Sequence, residues 1–382
     1  MKIWAVILLL AIGMALFPEL REKSAVTNKV VVAAVGVDMD SADSCHMSVQ
    51  AIETLKASGN LSEQADNVTQ VYEIGGQSVA GAMQAFATET GRDTYILHNR
   101  VIALGMETVE DFQLQTVLDY FLRNHESRPM VDVVICRGKA SELVGLSSVS
   151  YAIPAEQLGK LLDEGKRWGT VMRANMLDMQ RALSGMWDAV IPIVSVVGEE
   201  EEQMARMDGT AVFRAGTYRG ELDESATRGL LFARNELEQC LYVLPLEDGR
   251  STTVELHSSD TDIRSERVGD RVHFTLSINS TAEITEETDL RPLTREQLLE
   301  IEKLLKERVE ADVQAMLDKT IMEYGCDVLG LGRLLQKKMP DLVRGQETAW
   351  PERLKECTFS VRSSVKIKQN GMVAGEQGSL EN

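Results

Sequence analysis

The sequence is poor in the residue types from which metal and redox sites are usually built. It has 5 cysteines in 382 residues, and no two of them are spaced as C-x-x-C. A zinc knuckle and a thioredoxin-like motif are therefore excluded, and an odd, scattered set does not fit a disulfide framework. We expect the cysteines to be small buried apolar residues. They are Cys45, Cys136, Cys240, Cys326 and Cys357.

Histidine is equally scarce and equally dispersed. The histidines are His46, His98, His125, His257 and His273. None of the spacings H-E-x-x-H or H-x-H occurs, so a metal site would have to assemble from distant loops. The acidic run Asp38–Asp43 resembles the start of a calcium loop, but Asp43 stands where the loop needs its turn glycine and Val49 where it needs a glutamate. We therefore predict no metal and no cofactor.

Positive charge is also in short supply. Acidic residues outnumber basic ones 59 to 40, and the formal net charge is −19. Because such a surface repels phosphate backbones and no basic stripe offsets it, nucleic acid is excluded as a partner. The low content of proline and glycine (8 and 28 residues) excludes a collagen-like or low-complexity chain.

Long apolar runs are absent except at the N-terminus. Residues 3–17 carry no charge and follow Lys2. The run has the charged start and apolar core of a secretory signal, although it is shorter than the roughly 20 residues that span a bilayer comfortably. No cleavage site of the A-x-A type follows. The sequence therefore predicts an uncleaved membrane anchor over residues 1–23, with the rest of the chain on the far side.

The remaining chain divides at an acidic run, Glu199–Glu202, which predicts a solvated linker over residues 199–207. Before it, strand and helix patterns alternate, which predicts an α/β domain over residues 24–198. After it, residues 208–382 predict an α+β region, with possible subdomains 208–285 and 286–382. The expected fold class is α/β and α+β, a multi-domain chain with central mixed or antiparallel sheets flanked by helices.

Several local patterns make sharper predictions. Residues 95–104 have the pattern of one buried strand, and Ala155–Leu183 that of a long amphipathic helical region. A proline inside the strand pattern 189–197 places that strand at a sheet edge. Thr294 and Gln297 form a capping box that begins a long helix, which ends at Gly325.

One segment resembles the nucleophile elbow of a hydrolase. Gly76–Ala80 lies between a predicted strand and a predicted helix, with Ser78 at the nucleophile position. The motif requires glycine where Ala80 stands, and the histidines do not follow in the required order. Ser78 is equally explained as a hydroxyl that caps the helix, which is expected to stop at Gly91. The segment 330–332 reads as a turn, since the third glycine of a dinucleotide fingerprint is missing.

Taken together, an ordered set of short segments resembles one family. They are Gly36-Val37-Asp38, the run from Gly91 through His98 to Gly105, Leu118–Arg123 with Arg128-Pro129, Gly138-Lys139-Ala140, Gly209–Phe213, Glu224–Leu231, Asp327–Gly332, Pro340 and Trp350. In this order and spacing the chain resembles the Ger(x)C family, the C subunits of spore germinant receptors. The match runs from about Val30 to Gly371. The signature positions are Gly36, Asp38, His98, Gly105, Arg123, Arg128, Gly209, Arg228, Gly229, Asp327, Gly330 and Trp350.

The resemblance implies a non-enzymatic protein on the outer face of the spore inner membrane. It implies assembly with a multi-spanning A subunit and a transporter-like B subunit, in a complex that responds to small-molecule germinants. Family members consist of several α/β domains with central sheets. The germinant is expected to be sensed by the complex rather than by this chain alone.

The sequence departs from the family at one point, and two other functions stay open. Family members usually carry a lipid on a cysteine after the signal, but Met14 occupies that position here. Anchoring is therefore expected to rest on the apolar segment itself. The alternatives are an exported hydrolase or metal-dependent enzyme that uses Ser78 or the scattered histidines, and a protein that binds the germinant directly.

Overall fold

The structure is a computed structural model that describes residues 29–52, 68–148, 150–185, 187–199, 202–269, 271–287, 293–342 and 349–368. The strands are β1 (Lys29–Ser41), β2 (Ser44–Ile52), β3 (Thr69–Gly76), β4 (Asp93–Tyr95), β5 (Val101–Gly105), β6 (Asp132–Cys136), β7 (Val190–Val197), β8 (Met204–Arg214), β9 (Thr217–Leu222), β10 (Cys240–Pro245), β11 (Ser251–Val268), β12 (Arg271–Glu287) and β13 (Thr358–Ile367). The helices are α1 (Val79–Thr90), α2 (Met106–Asp111), α3 (Leu114–Arg123), α4 (Ala140–Val144), α5 (Pro154–Arg167), α6 (Met176–Leu183), α7 (Glu224–Ala233), α8 (Arg295–Leu317), α9 (Leu331–Lys338) and α10 (Trp350–Lys355).

The first nine strands form one mixed sheet. Its order is β3-β2-β1-β5-β6-β7-β8-β9, and the short β4 pairs with the start of β1. Neighbouring strands from β1 through β5 and β6 to β7 are parallel, whereas the outer pairs are antiparallel. Helices α1, α2, α3 and α6 pack on one face, and α4 and α5 pack on the other. Parallel strands covered on both faces are expected to be apolar, as β5 is throughout and as β6 is after its first residue, Asp132.

Local capping determines where α1 begins and ends. The Ser78 side chain accepts a hydrogen bond from the amide of Gly81, and Gly91 adopts a left-handed conformation (φ 62°) at the other end. Both are the usual solutions for unpaired backbone groups at helix termini. The prediction of a helix that is capped by Ser78 and stopped by Gly91 is confirmed.

Two sequence patterns were longer than the elements they produce. Residues 95–104 were predicted as one strand, but the chain forms β4 and β5 with a turn at 96–100 between them, so His98 is exposed. The helical pattern of Ala155–Leu183 divides into α5 and α6. Between them Gly169 has φ 70°, a conformation that glycine adopts readily and that a helix does not contain.

The prediction that β7 lies at a sheet edge is wrong, since it lies between β6 and β8. Pro192 has no amide to donate to a neighbouring strand. The parallel ladder with β6 pairs Ile193 and Val194, and the ladder with β8 has a register shift just after Pro192. An interior proline is therefore tolerated because both ladders are interrupted or absent beside it.

The acidic run of the predicted linker connects β7 to β8, which pair as neighbours from Val197↔Met204 onwards, so residues 204–207 of the predicted linker belong to β8. Glu199 and Glu202 lie at this hairpin connection, and the first sheet continues beyond it to the end of β9. The change from one sheet to the next falls between β9 and β10. That residues 199–207 separate two folding units and are open to proteases stays a prediction.

The second sheet has the order β10-β11-β12-β13. Its first two pairs are antiparallel, but β13 runs parallel to β12, so the sheet is mixed. Helix α8 buries Ile301, Leu305, Val309 and Val313 in the core that also holds the inner face of this sheet. The predicted capping box is present, since Thr294 accepts from the Gln297 amide and Gln297 accepts from the Thr294 amide. The helix continues as a π-helical turn before Gly325 ends it.

All five cysteines are buried and free, as predicted. Burial raises the pKa of each thiol, to about 11 for Cys45 and to about 12 for Cys326. A thiol whose pKa lies so far above neutral pH stays protonated and is therefore a poor nucleophile. Among the helices of the described ranges, none is both long and apolar enough to cross a membrane. The predicted anchor, residues 1–23, lies outside those ranges.

Candidate functional site: a polar crevice and two buried junctions

Most signature positions come together in three places. Gly36, Asp38 and Gly105 meet at the carboxyl edge of the parallel strands, and Arg228 and Gly229 lie between α7 and α8. The third group consists of Asp327, Gly330 and Trp350. The three groups differ in how far their side chains are already occupied by hydrogen bonds.

Asp38 links strand β1 to the start of helix α4. Its Oδ1 accepts a hydrogen bond from the Ala140 amide (2.8 Å), and its Oδ2 accepts one from the Ser141 amide (3.2 Å). A side chain at Gly105 would collide with Asp38 Oδ1, and a Cβ at Gly36 would lie 3.1 Å from Ala140. A side chain at Gly105 would therefore displace the Asp38 carboxylate, and one at Gly36 would press helix α4 away from strand β1 by a few tenths of an ångström.

The Asp38 carboxyl is held in a mixed environment. Burial raises its pKa above the ordinary value, and the amides of Ala140 and Ser141 and the charge of Lys139 act in the opposite direction. The carboxylate serves here as a helix cap supplied by a distant strand.

Beside Asp38 a crevice of about 550 Å³ opens at the carboxyl ends of β1, β5 and β6. Its floor and walls come from Asp38–Asp40, His46–Ser48, Glu73–Gly75, Gly105, Glu107, Thr108, Arg137–Lys139, Ser141 and Glu142. The lining is thus mainly polar and charged. A volume of this size falls in the range of small-molecule sites, about 300 to 1,000 Å³.

The charged groups of the crevice differ in how far they are already paired. The Arg137 guanidinium donates to both oxygens of Glu221 (2.6 and 2.9 Å) and to Asp208 Oδ2 (2.9 Å). These carboxylates raise the pKa of Arg137 and keep it fully charged but neutralised. Within the described ranges, Lys139, Glu73 and Glu107 form no ion pair, although the charge of Lys139 acts on Asp38.

The second group surrounds a buried carboxylate on α8. Asp312 Oδ2 accepts from Arg228 Nε (2.6 Å) and from the Tyr242 hydroxyl (2.7 Å), and Oδ1 accepts from the Ser225 hydroxyl (2.6 Å). The Arg228 guanidinium also lies 4.8 Å from the centre of the Tyr242 ring. A Cβ at Gly229 would collide with the backbone of Asp312. This group holds α7, α8 and β10 together.

The third group is centred on Asp327, which follows the end of the long helix. Its carboxylate accepts from the amides of Leu331 and Gly332 and from Trp350 Nε1, each at 2.8 Å. The Asp327 amide in turn donates to Asp188 Oδ2 (2.7 Å), and Asp188 Oδ1 accepts from Ala215. Burial raises the pKa of both carboxyls. Because Asp188 and Ala215 flank β7 and β8, this junction joins the first sheet to the C-terminal helices.

The remaining signature positions lie away from these three groups, three of them at the surface and Gly209 inside a strand. Arg123 pairs with Asp119 one helical turn earlier, and His98 packs edge-on against Tyr95 with ring centres 5.5 Å apart. Arg128 is exposed, and Gly209 has φ 120° in β8 beside the Leu222 carbonyl. The structure does not bring these residues into any of the three groups.

Ser78 and the histidines are the residues that the alternative of an enzyme would use. Ser78 and His125 both line an open depression of about 620 Å³, and the hydrogen bond that Ser78 Oγ makes there is with the Gly81 amide. No hydrogen bond joins Ser78 to a histidine in the part of the chain that is described. Among the same residues no three histidine, cysteine or acidic side chains are grouped closely enough to hold a metal ion.

Sequence reasoning missed Asp188, Asp312, Tyr242 and Arg137. Only Asp312 gave a usable signal, because it lies three residues after Val309 and four before Met316, on the apolar stripe of the helix. A carboxylate on such a stripe requires buried partners. The partners of the others come from distant strands, which local sequence patterns do not reveal.

Comparison with known sequences gives matches along nearly the whole chain. The family model described as "Spore germination protein N-terminal domain" matches residues 23–196, and the one described as "Spore germination B3/ GerAC like, C-terminal" matches residues 208–371. Spore germination protein KC of Bacillus subtilis (strain 168) is 21% identical over 96% of this chain and 95% of its own length. Spore germination protein B3 of the same organism is 24% identical over 73% of this chain and 75% of its own length.

A solved structure has the same fold. The crystal structure of the GerBC protein superposes with a TM-score of 0.59 and 18% sequence identity. The superposition covers 87% of this chain and 96% of that protein. The predicted fold class, with central mixed sheets flanked by helices, is confirmed.

Proposed function

Because this chain belongs to the spore germination B3/GerAC-like family, we propose that it is a non-enzymatic, membrane-anchored subunit of a spore germinant receptor. In this role it is required for the germination response to small-molecule germinants. It acts on the outer face of the spore inner membrane, in a complex with a multi-spanning A subunit and a transporter-like B subunit.

The observation that carries this proposal is how the signature residues are used. The signature residues Asp38 and Asp327 accept hydrogen bonds that connect separate elements of the fold, and the signature residue Arg228 donates one from α7 to Asp312 on α8. Such residues maintain a shape rather than activate a nucleophile, since a reactive group needs a base within hydrogen-bond reach. A fold that is held in this way supports a role in assembly with other subunits rather than in catalysis.

The anchor is proposed to work without a lipid. Met14 occupies the position where the family usually has its lipid-bearing cysteine, and a methionine offers no thiol for a thioether bond. The uncharged residues 3–17 would then hold the chain at the membrane. The intact mass of the mature protein should lack a diacylglyceryl adduct, and a high-salt wash should not release the protein from membranes. An adduct, or full release, would refute this part of the proposal.

The test of function is the germinant response of spores that carry defined variants at normal protein level. Deleting residues 29–382 should abolish the response, while Ser78→Ala and His98→Ala should leave it nearly intact. Loss of the Ser78 cap costs about 1 kcal/mol, which a chain of this size tolerates. A folded, normally abundant Ser78→Ala protein without a response would overturn the non-enzymatic proposal and support a hydrolase.

Assembly is tested separately. An affinity tag on this chain should recover the A and B subunits from solubilised spore inner membranes. As a matched control, the same tag on a chain with Asp327→Ala, in which the junction between the sheet and the C-terminal helices is lost, should recover less of both. Recovery of neither subunit with the tagged wild-type chain would contradict the proposed partners.

A further inference from the structure

The crevice beside Asp38 occupies the position at which open α/β sheets bind ligands. Helix α2 leaves the end of β5 on one face of the sheet, and α4 leaves the end of β6 on the opposite face. Where neighbouring crossovers diverge in this way, a gap forms outside the carboxyl ends of the strands. Gly105 and Gly138 lie at the two points where the chain turns from strand to helix.

The crevice is kept open by residues without side chains. Gly75, at the end of β3, lines it, and nothing lies within 4 Å of the position that a Cβ would take there. On the opposite wall, a Cβ at Gly138 would lie 2.5 Å from Glu142 Oε2. Gly75 therefore leaves open space beside the crevice, and Gly138 leaves room for the Glu142 carboxylate.

The unpaired groups of the crevice define the chemistry of its ligand. Arg137 is neutralised by Glu221 and Asp208, and His46 is paired with Asp40 (2.8 Å). Among the described residues of the lining, Glu73, Glu107 and Glu142 are exposed carboxylates that form no ion pair, and Lys139 is the one cation that forms none. No three histidine, cysteine or acidic side chains of the described residues are grouped closely enough to hold a metal ion. A molecule that carries ammonium groups at both ends of a short chain can contact more than one of these carboxylates.

We propose that this crevice binds a small organic cation, a molecule with one or more ammonium groups, between Glu73 and Glu107. The ammonium groups donate hydrogen bonds to the two carboxylates, and Lys139 weakens the binding by repulsion. Charge-assisted bonds of this kind are the stronger class of hydrogen bond. The proposal does not depend on the role of the chain in a receptor.

The probe is 1,4-diaminobutane, titrated calorimetrically into the full chain in detergent at low ionic strength. Two molecules of similar length serve as controls, neutral 1,4-butanediol and dianionic succinate. We expect heat of binding with the diamine only. Equal binding of the diol, or binding of succinate, would overturn the assignment of the ligand class.

Charge variants are expected to change the affinity for the diamine in opposite directions, which a purely structural role of these residues would not produce. Glu73→Gln and Glu107→Gln should each weaken binding of the diamine about twofold to fivefold, the value of an exposed charge pair. Lys139→Gln should strengthen it by a similar factor. Glu89→Gln makes the same charge change on α1, outside the crevice, and should have no effect. Equal effects of Glu89→Gln and Glu73→Gln would show that only net charge matters and would refute the site.

A steric variant tests the cavity independently of charge. Gly75→Leu adds a large side chain to the lining of the crevice at a position where the space around the Cβ is open. It should abolish binding of the diamine while the thermal unfolding midpoint stays within a few degrees of the wild type. Undiminished binding by a folded Gly75→Leu protein would place the diamine elsewhere and overturn the proposal.

Discussion

The two sheets use the same residue type in opposite ways. In the first sheet, Asp38 caps a helix at the wall of an open crevice, where other charged groups face solvent. In the second region, Asp312 and Asp327 are enclosed, and their carboxylates are occupied by three hydrogen bonds each. Carboxylates of the first kind can meet a ligand, and those of the second kind hold the fold together.

The comparison predicts that the largest loss of stability follows from Asp327→Ala. The change leaves the amides of Leu331 and Gly332 and Trp350 Nε1 without an acceptor. Each buried unpaired donor costs roughly 1–3 kcal/mol, so the free energy of unfolding should fall by at least about 3 kcal/mol. Urea denaturation measures this. The control Asp341→Ala removes an exposed ion pair with Arg267 and should change stability by less than about 0.5 kcal/mol.

Gly229→Ala tests the contact between α7 and α8. The new methyl group would collide with the backbone of Asp312, and overpacking of this kind costs about 1–3 kcal/mol. Gly159→Ala, in α5, is the matched control, because nothing lies within 4 Å of its Cβ position. That variant should be stabilised by about 0.4–1 kcal/mol. Similar losses for the two variants would mean that helix packing at Gly229 is looser than described.

At the crevice, the effect of Asp38→Ala should be smaller, about 1 kcal/mol, because water can reach the released amides. The sharper measurement is a double-mutant cycle with Gly105→Ala. In the wild type the new methyl group meets Asp38 Oδ1, whereas in the Asp38→Ala background that clash is gone. The two changes should therefore be strongly non-additive. Additive losses would show that the glycine is required for some other reason.

The smallest effect is expected from Asp208, next to the crevice. Burial raises its pKa, but the Ser195 hydroxyl and the Arg137 guanidinium outweigh burial and hold the pKa below its usual value. A lowered folded-state pKa stabilises the protein above the unfolded-state pKa, and this contribution is lost as the pH falls through the folded-state value. Asp208→Asn should thus be less stable than the wild type at neutral pH. The gap should close below about pH 4, and a gap that is independent of pH would contradict this.

Local sequence patterns predicted the ends of helices better than they predicted which strands lie next to one another in a sheet. Ser78, Gly91 and the pair Thr294 and Gln297 marked helix ends correctly, because a cap is satisfied within a few residues. The prediction that Pro192 places its strand at a sheet edge was wrong, because the position of a strand depends on the strands that pair with it. The parallel direction of β13 could not be read from its alternation, which is the same in either direction.

The same limit applies to the site. The signature positions were named from their order along the chain, but their grouping requires contacts across large sequence separations, such as 102 residues between Asp38 and Ala140. The partners Asp188 and Tyr242 carry no local signal. The crevice is lined by segments that are far apart in the sequence, so no local sequence pattern predicts it.

The position of β13 has a consequence for the order in which the protein can be completed during synthesis. All strands of the first sheet lie before residue 223, so this sheet can form while the rest of the chain is still being made. The second sheet receives its last strand from Thr358–Ile367, which pairs with β12 across a separation of about 85 residues. Such distant pairing is slow. A chain interrupted between residues 318 and 357 would therefore leave one edge of β12 and the part of α8 that contacts β13 uncovered, and other incomplete chains could associate there.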